Sequence, residues 1–248
     1  MTSYIRPHIE PDDFFDAQGE RIDYGNRWAH LDGPPEDSYS VGEHPERFAP
    51  LHPVADALIA HLVTTYAVDV EEGAHVAADF RHPTPADAVV RAVRFTPRHE
   101  ASASMTVLFT AYPGVRVRAG MFFEEAFPSC GCDACDETWD AAAEELEQQV
   151  LSIAGGGLTE KVGKPRRPCV TYNRAGRWFE TDRGQAVSYS LVMLDDSGSS
   201  GGESAASDLT ASELAAASAA LRAVAEASPA GNWLPWPARP QTDAASIQ

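Results

Sequence analysis

Three short stretches of alternating apolar and polar residues constrain the fold of this chain more than any other feature. Val89, Val93 and Phe95 alternate with Val90 and Arg94. Met105, Val107, Phe109 and Ala111 alternate with Thr106 and Thr110, and Val115, Val117, Ala119 and Met121 alternate with Arg116 and Arg118. Successive side chains of a strand point to opposite faces, so each stretch reads as a strand with one buried face. Pro113-Gly114 supplies a turn between the second and third stretches: proline presets one dihedral and glycine takes the positive one. The expectation is an antiparallel meander.

Helices complete an α+β fold, with about three of them packed mainly on one face of the sheet. The first is predicted from Pro53 to near Tyr66, with Val54, Leu58, Leu62 and Thr65 on one face. The second runs from about Glu137 to Ile153 with a stripe of Trp139, Ala143, Leu146, Val150 and Ile153. Asp133 or Asp136 is its expected cap, and Gly155-Gly156-Gly157 its stop. The third has a capping box, Thr210 with Glu213, and a hydrophobic staple, Leu209 with Leu214. A further hairpin is predicted from Trp178–Thr181 and Val187–Met193 through Asp182-Arg183-Gly184.

The rest of the chain organises around these elements. Residues 1–51 read as an irregular arm whose spaced aromatics anchor it to the body. Residues 52–193 form the α+β core. Residues 197–207, rich in Gly, Ser and Ala, read as a flexible loop. Residues 208–248 hold the last helix and a Trp/Pro tail, in which Trp233 and Trp236 clamp the terminus. No repeat or strong boundary divides the chain, so one domain over 1–248 is expected.

The charge narrows the function classes. Nineteen Lys and Arg against 37 Asp and Glu leave a formal net charge of -18. Non-specific nucleic-acid binding rests on clustered cations that displace counterions, and anionic membranes attract basic segments, so the charge decides against the first and disfavours the second, and neither nucleic acid nor membrane is an expected partner. A basic protein partner or a bound cation fits better. Residues 119–160 hold no Lys or Arg, and the acidic face around Glu124–Glu147 within them is the expected contact surface. Basic residues flank the stretch on both sides, so the alternative expectation is that acidic and basic faces meet within the fold. The first residues show no apolar run, and no segment approaches the ~20 apolar residues a membrane span needs. A cytoplasmic protein with reduced thiols is expected.

Chemistry concentrates at Cys130, Cys132 and Cys135, in Cys-Gly-Cys-Asp-Ala-Cys between a strand and a helix. Three thiols within six residues can point at one centre, and Cys169 would complete a tetrahedral zinc site of structural type. Two readings stand beside it. The thiols can be plain packing residues. Alternatively Cys132 and Cys135 form a redox pair at a helix N-terminus, although the carboxylates around them oppose thiolate formation and favour a cation. A separate enzyme reading, hydrolase-like, places His44, Arg47 and His52 around a cleft in the His-rich arm. No P-loop, dinucleotide loop or nucleophile elbow is present.

Four stretches carry a family likeness: Tyr39-Ser40-Val41 with His44-Pro45-Glu46-Arg47-Phe48; Leu51-His52-Pro53-Val54-Ala55-Asp56-Ala57-Leu58; Phe127-Pro128 with Cys130 through Glu137; and Trp233-Leu234-Pro235-Trp236-Pro237. Together they resemble an actinobacterial family of unknown function, domain of unknown function family 6226. The resemblance spans nearly the whole chain. It implies an actinobacterial cytoplasmic protein and carries no activity, cofactor or site residue.

Overall fold

A computed structural model of the chain describes residues 3–10, 12–164, 169–172, 178–181, 185–194 and 198–240. The meander is present and larger than the alternation predicts. Its five strands are β1 (Val68–Glu72), β2 (Val89–Pro97), β3 (Met105–Thr110), β4 (Val115–Ala119) and β5 (Phe123–Phe127), in sheet order β1-β2-β3-β4-β5. Every neighbouring pair is antiparallel. The turn before β4 forms for a different reason than expected. Gly114 does not have a positive φ. A Cβ there would lie 2.8 Å from the Phe127 carbonyl oxygen, so glycine is required by close approach of the β5 backbone.

Two helices cover one face. Helix α1 (Leu51–Thr65) buries Val54, Leu58 and Leu62, and helix α2 (Trp139–Ala154) buries Ala143, Leu146, Val150 and Ile153. These join Val93, Phe95, Val107, Phe109, Val117 and Phe123 in one buried cluster. Each fully buried side chain of this size contributes about 2 kcal/mol relative to exposure. The opposite face of β2 and β3 is closed differently. Ala92 and Leu108 lie under Val76 and Phe80, held by the 3-10 segment Ala74–Asp79. Asp79 there accepts hydrogen bonds from Thr106 Oγ1 and Arg94 Nε, both at 2.7 Å.

The cap of α2 is Thr138, whose side chain accepts from the Ala141 N–H, and not Asp133 or Asp136. Those two residues stay in the preceding loop, where Asp133 is buried and Asp136 takes a positive φ of 52°.

The second half of the chain departs further from expectation. A three-stranded sheet has the order β10-β9-β6, with β6 (Leu158–Gly163), β9 (Ala186–Val192) and β10 (Ser199–Ala205). The segment read as a flexible loop is therefore largely an edge strand. Composition missed it because the pairing comes from β9, and the ring of Tyr189 lies where a Cβ on Gly202 would stand. Strand β8 (Trp178–Thr181) pairs with β7 (Cys169–Tyr172), while β9 pairs with β6 and β10, so the predicted hairpin joined the wrong partners. Asp182, Arg183 and Gly184 lie outside the described residues.

Helix α3 (Ala211–Ala227) starts at the predicted capping box, with both reciprocal hydrogen bonds formed. The tail returns to the core. Trp233 and Trp236 are buried, and their indoles donate to Glu160 Oε2 and the Ala103 carbonyl, each at 2.8 Å. Glu160 is itself buried and also accepts from the backbone N–H groups of Met121, Phe122 and Phe123. Burial raises its carboxyl above the ordinary value against the pull of these four donors. One carboxylate thus ties the β4–β5 turn, β6 and the tail together. Among the described residues, no helix is long and apolar enough to cross a membrane.

Candidate metal centre

The loop between β5 and α2 brings three of the four cysteines to one point. The Sγ atoms of Cys130 and Cys132 are 3.2 Å apart, and those of Cys132 and Cys135 are 3.5 Å apart. All three lie within 4.8 Å of one another, close enough to hold a metal ion. Tetrahedral zinc with Zn–S of about 2.3 Å separates its sulfurs by about 3.8 Å, a few tenths of an ångström wider than these two separations. Cys130 and Cys132 are part-exposed and Cys135 is exposed, so the centre sits at the surface. Cys169 opens β7; its side chain lies outside the described part of the structure.

The thiols are electronically unequal. The S–H of Cys130, backbone N–H groups at Cys135 and Ser40, and the Cys135 thiol stabilise negative charge on Cys132, which is lowered to about 7. Cys135, hydrogen-bonded to the Cys130 and Cys132 thiols, is pushed up to about 12. One sulfur is therefore ready to bind a cation near neutral pH, and N–H groups directed at it preorganise the loop.

The loop is held by residues outside it. Glu137 accepts from the N–H groups of Ser129 and Cys130 and from the Ser129 hydroxyl. Arg47, almost wholly buried, donates to the carbonyls of Gly131 at 3.0 Å and Glu43 at 2.5 Å. Asp133 Oδ1 lies 3.3 Å from Arg27 Nη1 and 3.6 Å from Arg47 Nη1. Its second oxygen accepts the Glu43 N–H, and its backbone N–H donates to the Val41 carbonyl at 2.7 Å. Trp28 adds an indole hydrogen bond to the Asp133 carbonyl. The guanidinium of Arg47 rests over the rings of Tyr24 and Phe48 at 4.4 and 4.5 Å, and that of Arg27 over Trp28 at 4.8 Å. The N-terminal arm is thus clasped to the cysteine loop through one buried carboxylate, two arginines and their aromatic platforms.

Each member of the expected hydrolase-like trio is engaged in structural contacts. His44 bonds Glu46 and the Phe15 carbonyl, Arg47 is committed to the loop, and His52 bonds the Gly114 carbonyl and meets Phe109 edge-on. The acidic stretch is also largely taken up internally. Arg6 pairs with Asp140 and Glu147, Arg116 with Glu124, and the Tyr189 hydroxyl with Glu125. Acidic and basic segments therefore do meet in the fold, and Glu147, expected on the contact surface, is a buried anchor for Arg6. Sequence reading found the cysteines but missed Arg27, Asp133 and Glu137 as their supports. The signal available was the Tyr24, Arg27-Trp28 and Arg47-Phe48 interleaving of arginine with aromatics.

Fold and site together define an α+β protein with a three-cysteine cluster fastened to an irregular arm. The profile described as "Family of unknown function (DUF6226)" matches residues 10–240, and the chain belongs to that family. No curated protein and no solved structure matches the chain.

Proposed function

We propose that the chain is a non-enzymatic binding or regulatory protein whose Cys130, Cys132 and Cys135 hold a structural zinc ion. The convergence of the three sulfurs within 4.8 Å carries this reading. Cys169 is the proposed fourth ligand. Zinc would lock the loop that receives Arg47 and the arm, so metal and arm docking would favour each other. A basic protein partner would meet Glu144 and Glu145, which are exposed on α2, while Asp140 and Glu147 of the same helix are taken by Arg6.

Native mass spectrometry with metal analysis on reduced, chelator-free protein tests the zinc. One ion per chain, lost in Cys130→Ser, supports the reading. The competing thiol-redox reading has its own support, the lowered Cys132 thiol. It predicts metal-free protein and a reversible disulfide under mild oxidant.

A further inference from the structure

Beside the cysteine loop, the arm and the start of α2 enclose a cavity of ≈ 150 Å³ that the zinc reading does not use. At about 30 Å³ per displaced water, it takes a guest of about five to eight non-hydrogen atoms. Phe14, Ile22 and Tyr24 of the arm and Trp139 of α2 supply its apolar walls, and Asp12, Asp13 and Asp23 line it as well.

The two cations lining the cavity, Arg21 and Arg47, are already matched. Arg21 Nε is 2.6 Å from Asp13, and Arg47 faces Asp133 and two carbonyls of the clasp. Among the described residues, no hydrogen bond or ion pair reaches the carboxylates of Asp12 or Asp23. Two negative charges therefore stand uncompensated beside aromatic walls. Tyr24 already carries the guanidinium groups of Arg27 and Arg47 at 5.3 and 4.4 Å, whereas among the described residues no such cation lies over Trp139. Arg47 adds a second requirement: its side chain is 2% exposed, and among the described residues its Nε has no hydrogen-bond partner. An acceptor atom on a guest would satisfy it.

We propose that this cavity binds a small organic ammonium ion bearing an oxygen acceptor, with the cationic end toward Asp12, Asp23 and Trp139 and the oxygen toward Arg47. An alkylammonium group presents diffuse positive charge to an aromatic face and to carboxylates while burying its methyl groups. A neutral guest of equal shape would gain only the apolar part.

Titration of the full chain with choline, glycine betaine and dimethylbutanol (the neutral carbon isostere of choline) tests this, followed by NMR at the Trp139 indole and the Phe14 ring. Choline or betaine is expected to saturate and shift those signals, with dimethylbutanol about ten-fold weaker. Asp23→Asn should weaken the ammonium ligands by several-fold, and Glu144→Gln, outside the cavity, should not. Asp23 is exposed, so this variant keeps the fold and its metal content; the cavity and zinc readings fail separately. Equal binding of dimethylbutanol, shifts mapping elsewhere, or no saturation at millimolar concentration would overturn the proposal.

Discussion

Replacing Asp133 with alanine removes the counter-ion that the arm was folded around. The side chain of Arg47 is 2% exposed and that of Arg27 15% exposed, so neither guanidinium can turn to bulk water without leaving its site. Breaking a buried ion pair by deleting one partner costs about 3–5 kcal/mol. The lower end applies here, because the charges are 3.3 and 3.6 Å apart and Arg47 keeps its carbonyl acceptors. The loss falls on the contact between arm and loop and leaves the main core intact, so it appears as local opening. About 3 kcal/mol raises the open population about 100-fold. Limited trypsin digestion reads that population when reclosing outpaces cleavage. Cleavage between Arg21 and Arg47 should accelerate about 100-fold in Asp133→Ala, with little change in the urea midpoint of the core. Asp133→Asn, which keeps an acceptor for the Glu43 N–H, should fall between the two. Acceleration below about three-fold would refute the clasp as the arm's main attachment.

Two further outcomes follow from a buried carboxylate, Glu160, and a half-buried one, Asp79. Glu160→Gln places an amide donor against either the Met121 and Trp233 donors or the Phe122 and Phe123 donors, and two of four hydrogen bonds are lost. At about 1–3 kcal/mol for each buried group left unpaired, global stability should fall by about 3 kcal/mol, read as a lower urea midpoint at unchanged slope; a loss below about 1 kcal/mol would count against the role assigned to Glu160. Asp79 is raised by burial, but hydrogen bonds from Arg94 and Thr106 outweigh this and hold it below the ordinary value. A depressed carboxyl contributes stability above its unfolded value, about 4, and that contribution is lost as pH falls through the folded value. Asp79→Asn should therefore flatten the acid limb of the stability–pH curve, and an unchanged limb would contradict the assignment.

What the sequence made legible was whatever repeats with a period. The α1 and α2 stripes, the three alternating strands and the Thr210–Glu213 box each encode their element locally, and the structure has them. β1 and β5 escaped because pairing makes them, and alternation does not. Val68 is the only buried residue of β1, and β5 reads Phe-Glu-Glu-Ala-Phe, with two carboxylates in its centre. β10 escaped for the same reason, its Gly and Ser residues being ordered by β9. The cysteine triplet was visible because its ligands are adjacent in sequence. The clasp that supports it was not, because Asp133 lies 86 positions from Arg47 and 106 from Arg27, and only tertiary folding joins them.

Metal analysis of the reduced protein by native mass spectrometry bears most directly on the central claim. One zinc per chain, absent from Cys130→Ser and accompanied by faster trypsin cleavage of the arm in that variant, is the predicted result. Metal-free protein with all four cysteines titratable after unfolding would contradict it and leave the cluster as a set of packing thiols.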